Sequence, residues 1–287
     1  MKRLIVNADD LGADEARNAG IIEAIGAGSV TAASILVNGP AFQDCLQRIA
    51  SADFNHISFG VHLNLTEGMP LSPGLKSITG PNGFFFGKEE THRRLMSKGD
   101  EGLEEEVRQE FAAQIQALRD AGIRIDHLDG HQHVHIFPAA IDATARTARE
   151  FGIPWIRIPE EPLPSGSIYR NNHALTGEAG LFCRFAAAAR IKIHGSTMGM
   201  TDHFRGLYLK GTLSLTHLEE TLRMLPLGLT ELMVHPGRAH GGPVQGPFSA
   251  FSHRERETEL EVLTSGSFHR MLEKYRVRLT PFPEACP

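Results

Sequence analysis

Two adjacent carboxylates, Asp9 and Asp10, stand where the apolar run Leu4-Ile5-Val6 gives out, inside the segment from Lys2 to Gly12. Paired acids at the end of a buried strand repel each other unless a cation or a shared proton compensates, so the pair costs stability and points to chemistry. An Asp N-cap with an exposed neighbour is the plain alternative for such a pair taken alone. The rest of the chain speaks for chemistry. His62 falls near the end of a third expected strand, His131, His133 and His135 follow a fourth, Arg157 ends a fifth, and His235 follows the run Leu229–Val234. All of them sit at strand C-terminal ends, the face on which α/β barrels and open sheets build their sites.

In the segment Asp126–His135 a period of two puts His127, Asp129, His131, His133 and His135 on one side if the chain stays extended. Two imidazoles and a carboxylate suit a divalent ion, leave positions open for water and substrate, and relieve the clash between Asp9 and Asp10. For His127, His133 and His135, a hydrogen-bonded place in the core accounts for the residues equally well. His131 is different, because Gly130 before it permits a tight turn at the strand end.

The elements that must hold these groups are legible as an alternation. Apolar runs at Leu4–Val6, Ala33–Val37, Ser58–Leu65, Ile123–Leu128, Trp155–Ile158, Phe204–Leu209 and Leu229–Val234 read as strands. Between them, Asp14–Ala27, Gly102–Ala121, Pro138–Phe151, Thr216–Leu225 and Arg254–Thr264 read as helices, several ending at Gly. That order predicts a parallel sheet with right-handed crossovers, as a closed or distorted barrel or an open doubly wound sheet. A chain of 287 residues fits one α/β barrel, which takes about 250. Two long segments interrupt the rhythm, Thr66–Lys98 with Phe84-Phe85-Phe86, and Pro159–Gly180. Such loops usually wall an active site.

Composition narrows the function classes. The formal charge is −5 and both signs are interspersed, which argues against nucleic acid and against an anionic membrane as partner. Cys45, Cys183 and Cys286 are isolated from one another, without a CxxC pair, as in a reducing compartment. The first apolar run is too short for a signal peptide, and no stretch reaches the ~20 apolar residues of a membrane span. A soluble, cytoplasmic protein is the expectation, and a homodimer is a fair one at this size.

Four ordered stretches together resemble the YdjC-like carbohydrate deacetylases, a family that includes chitooligosaccharide deacetylase and a branch associated with hopanoid biosynthesis. They are Asn7-Ala8-Asp9-Asp10-Leu11-Gly12, Gly60-Val61-His62-Leu63-Asn64-Leu65-Thr66-Glu67-Gly68, His127–His135, and Val234-His235-Pro236-Gly237. The resemblance spans nearly the whole chain as a single domain, residues 1–287, with loop insertions near 66–98 and 159–180. It implies a distorted (β/α) TIM-like barrel and one divalent metal bound through Asp10, His62 and His131. It also implies Asp9 as catalytic base, His235 as catalytic acid, and an N-acetylated sugar as substrate, on an oligosaccharide or a glycolipid. The family more often has Phe where this chain has Leu11, a departure that leaves the ligands intact.

Amide hydrolysis fits these residues. A bound metal can bring the pKa of water from 15.7 to about 7, Asp9 takes the proton, and His235 protonates the leaving amine. Arg157 is the natural partner for orienting Asp9. The donor set leaves magnesium, zinc or iron open, and on the resemblance Phe84–Phe86 either stack on a sugar face or plug the barrel end. Three other readings remain: a metal phosphoesterase on a similar barrel, which holds two or three metals; a glycosidase, whose acids stand ~5–10 Å apart; and a non-catalytic sugar-binding protein, which would have lost a ligand, base or acid.

Overall fold

The computed structural model describes residues 1–164, 176–240, 245–251 and 254–282. Its strands are β1 (Lys2–Leu11), β2 (Ala32–Ile35), β3 (Ser58–Leu63), β4 (His127–Gly130), β5 (Trp155–Ile156), β6 (His203–Arg205), β7 (Gly228–Val234) and β8 (Val277–Leu279). Every pairing is parallel, in the order β5-β4-β3-β2-β1-β7-β6. β8 pairs with the first residues of β1, Lys2–Leu4, while β2 pairs further along, from Asn7 to Leu11. The curved sheet is flanked by helices α1 (Glu15–Gly26), α2 (Phe42–Ala50), α3 (Lys88–Leu95), α4 (Glu101–Asp120), α5 (Ile141–Phe151), α6 (Thr176–Ile193), α7 (Leu215–Met224), α8 (Arg254–Thr264) and α9 (Gly266–Lys274). This is an α/β half-barrel of the TIM-like kind. Its edge strands β5 and β6 do not pair with each other, although Trp155 bridges to Gly199.

Alternation along β1 sorts its side chains into two layers. Leu4, Val6 and Ala8 join the main core, which also takes in buried residues of α1, such as Ile21 and Ala24. Ile5 belongs to a smaller cluster with Ala32, Leu229 and Phe282. Asn7 and Asp9 continue the Ile5 face toward the C-terminal end of the strand. On that face the filling changes from apolar to polar: Asn7 Nδ2 donates to Ser34 Oγ and to Asp9 Oδ1, each at 2.8 Å.

Most of the expected elements are present, with edges moved for physical reasons. Asp14 and Asp100 cap α1 and α4 by accepting from Arg17 N and Leu103 N. The strand expected over Phe204–Leu209 stops at Arg205, where Gly206 takes φ 127°. Pro138 does not start α5, whose N-cap is Ala140. The fourth strand lies at His127–Gly130 rather than Ile123–Leu128. The long segments are not pure loop: α3 lies within 66–98, and α6 takes over the end of 159–180. Residues 165–175 of that second segment lie outside the described residues, as does Cys286; Cys45 and Cys183 are free thiols. Among the described residues no helix is long and apolar enough to cross a membrane.

Candidate active site

Strand geometry alone sends adjacent side chains to opposite faces, so Asp10 should point away from Asp9. It does not, because the β1–β2 register shifts between Ala8 and Leu11 and Asp10 adopts φ 72°. This bulge, with a left-handed residue that Asp tolerates better than most, turns both carboxylates toward one cavity. The turn that follows is pinned, as Gly12 N donates to Asn18 Oδ1 of α1 at 2.6 Å.

The cavity, of about 360 Å³, is lined by Asp9, Asp10, His62, His131, His133 and His235, together with Glu67, Lys88, Lys210 and Arg256. His62 comes from the end of β3 and His131 from just after β4. One donor atom each from Asp10, His62 and His131 lies within 4.8 Å of the others. His131 Nδ1 is 2.9 Å and His62 Nε2 3.5 Å from Asp10 Oδ1. The other nitrogen of His62, Nδ1, stands 2.8 Å from Asp129 Oδ1. A carboxylate behind an imidazole whose far nitrogen faces an acid is the arrangement that orients histidines on metals.

Electrostatics agree with a cation there. Burial opposes a charge on His62, yet Asp129 and Asp9 overcome it and push the imidazole up to about 10. Burial likewise works against the Asp10 anion, but Arg256 and His131 hold its carboxyl well below the ordinary range. The donor set therefore fits a divalent ion. A second acid–histidine group, Asp9, His62 and Asp129, is already neutralised by an internal cation. Arg157 reaches Asp9 through Nη1 and Nη2, both at 2.7 Å, as well as Asp129 at 2.8 Å and Glu231 at 2.7 Å. Burial pulls the Arg157 guanidinium down, but its three carboxylates raise it well above its ordinary value, so it stays charged.

His235 follows β7, and its backbone N donates to Glu259 Oε2 at 2.6 Å. Its imidazole is driven well below the usual value by burial and by the cations Arg256 and Lys210. An ordinary histidine pKa near neutrality therefore does not hold here.

The histidine-rich segment is not extended. His131–Ile136 forms a 3-10 turn in which Gln132 and His133 take φ 53° and 58°. The period-of-two expectation fails for this reason, and the rings scatter. His127 stacks on Phe282 at 4.2 Å and contacts Ser34, while His135 Nε2 meets the Arg157 carbonyl at 3.0 Å; both belong to the core. His133 lines the cavity, beside Phe182. Gly130 itself is extended, at φ −160°; its role is to make room, since a Cβ there would meet His135 Nδ1 at 2.7 Å. Phe84–Phe86 do not line the cavity. Phe85 is buried, Phe86 lies under the Arg94 guanidinium at 4.1 Å, and Phe84 is exposed. The segment 66–98 instead supplies Glu67 and Lys88.

Sequence reasoning missed Arg256 and Glu259 on α8. Arg256 Nη2 donates to Asp10 Oδ2, so one helix reaches both Asp10 and the His235 backbone. The one available signal is their i,i+3 spacing, which by itself resembles a solvated charged face.

A family model described as YdjC-like protein matches residues 3–274. The chain is 36% identical to a human protein named carbohydrate deacetylase, over 96% of this chain and 89% of that one. It is 29% identical to a Brevibacillus brevis protein of the same name, over 98% and 99%. Among solved structures, an Enterococcus faecalis protein described as a candidate cellobiose-phosphate cleavage protein aligns with TM-score 0.75 at 24% identity, covering 98% of this chain and 97% of that one. That likeness bears on the fold.

Proposed function

This chain belongs to the YdjC-like family, and on that premise we propose that it removes the N-acetyl group of an acetylated amino sugar, on an oligosaccharide or a glycolipid, with one divalent metal, magnesium or zinc. The observation that carries the reading is the meeting of Asp10, His62 and His131 donors within 4.8 Å beside an Asp9 held by Arg157. Curated relatives named carbohydrate deacetylase over nearly their full length supply the substrate class.

Asp10, His62 and His131 would hold the metal, with Asp129 fixing the His62 ring from behind. A divalent ion there supplies activation of water and polarisation of the acetyl carbonyl. Asp9 takes the proton of the attacking water, and Arg157 and Asn7 fix the plane of its carboxylate for that task. The amine leaves only if its nitrogen is protonated, and His235 lines the same cavity to deliver that proton. Because its surroundings keep His235 neutral at rest, the proton it passes to the amine is the one taken from the attacking water, handed over within the shared cavity during turnover.

A phosphoesterase with several metals is the less favoured reading, since the second donor group is filled by Arg157. The deciding experiment measures acetate released from a panel of N-acetylated sugars, with metal content determined on the same sample. One metal per chain together with acetate release supports the reading; phosphate release from sugar phosphates, without acetate from any N-acetyl substrate, overturns it.

A further inference from the structure

His62 has a carboxylate behind it in Asp129, and Asp10 has a guanidinium in Arg256. His131 needs the same support for a sharper reason. In the geometry seen here its Nδ1 faces Asp10 Oδ1 at 2.9 Å, a contact whose donor and acceptor depend on the tautomer of the ring. To face a cation, Nδ1 must present its lone pair, and a neutral ring then carries its one proton on Nε2. Nε2 is buried without a hydrogen-bond partner among the described residues, and the group nearest in kind is Glu67 Oε2 at 3.5 Å.

Glu67 is held in place by its own segment. Asn64 Oδ1 accepts from Thr66 N at 2.9 Å and Glu67 N at 3.2 Å, while Asn64 Nδ2 donates to the Glu67 carbonyl at 2.7 Å. This side-chain clamp closes the turn after β3. At its other end Glu67 Oε2 accepts from Phe248 N at 2.8 Å, and the Phe248 ring packs edge-on to His131 at 5.5 Å. The carboxylate and the ring thus confine the same imidazole.

We propose that Glu67 is a positioning residue for His131: its carboxylate receives the Nε2 proton and so selects the tautomer whose Nδ1 is free for the metal. The proposal rests on the metal reading given above. It assigns the Asn64-Leu65-Thr66-Glu67 part of the His62 motif a task distinct from ligation.

The test measures zinc dissociation constants of the full chain, unmodified and as Glu67→Leu and Glu67→Gln, and follows the His131 Nε2–H resonance by histidine-selective NMR in the zinc-loaded protein. Glu67→Leu should weaken zinc binding about 10–100-fold and lose the protected Nε2–H signal. Glu67→Gln keeps a neutral acceptor, so it should restore most of the affinity while still shifting that resonance, because the charge is gone. Zinc binding unchanged in Glu67→Leu, with an unshifted resonance, overturns the proposal. If Glu67→Leu does not fold, an unshifted resonance in Glu67→Gln does so instead. An unmodified chain that binds no zinc and no magnesium overturns the metal reading itself, a result separable from the other two.

Discussion

Arg157 grips Asp9 with both Nη atoms, each 2.7 Å from a different carboxylate oxygen, and both side chains are shut off from solvent. The same guanidinium also compensates Asp129 and Glu231. Removing it takes the guanidinium from three buried acids and leaves only the His62 imidazole beside Asp129 and Asp9, a change of the kind that costs about 3–5 kcal/mol. Arg157→Met should therefore lower stability by that order. Urea unfolding checks it; a loss under 1 kcal/mol would mean that water or relaxation replaces the guanidinium.

The neighbouring aspartates should fail differently. Asp10→Asn should weaken metal binding, with part of its activity returning at high metal concentration. Asp9→Asn should keep the metal and lose about 10²–10⁴-fold in kcat with little change in KM. Metal content and kinetics on both variants decide, and exchanged behaviour would exchange the two roles.

Glu161 provides a pH test away from the catalytic groups. Burial pushes its carboxyl up to about 7, and it accepts from Leu207 N at 2.7 Å. A carboxyl raised in the fold favours the protonated native state, so its contribution is present below the unfolded pKa and is lost as pH rises toward 7. Glu161→Gln has no such loss. Relative to its standing at pH 4.5, the variant should gain roughly 3 kcal/mol on the unmodified chain by pH 8. Parallel stability curves for the two proteins across that range would contradict this.

Phe85→Ala should cost about 3–5 kcal/mol, as a buried aromatic deletion does, whereas Phe84→Ala should cost little. Neither should change KM, since neither ring lines the cavity. A raised KM in Phe84→Ala would return that ring to the substrate-binding wall.

What the chain's pattern revealed and what it hid divide along physical lines. Asp9, Asp10, His62, His131 and His235 were legible because a polar group ending an apolar run is conspicuous, and parallel strands bring such ends together. The bulge at Asp10 left no trace, because nothing in an Asp-Asp pair announces a left-handed residue. His133 and Gln132 hid their conformation in the same way beneath an alternating pattern. α2 and β8 escaped notice because β8 is three residues long and α2 buries only Cys45. Arg256 and Glu259 escaped because charges on a helix are ordinarily solvated, and only tertiary packing buries them.

The hydrogen bond between Arg256 and Asp10 joins residues 246 positions apart in sequence. Loop closure over such a span comes late and slowly, after local helices and neighbouring strand pairs have formed. Until α8 docks, Asp10 has only the Arg17 guanidinium of α1, at 3.8 Å, without that of Arg256, and the His235 backbone lacks the Glu259 carboxylate. During refolding, recovery of secondary structure should therefore outrun recovery of the working pocket, and α8 acts as a latch whose closure marks the finished molecule.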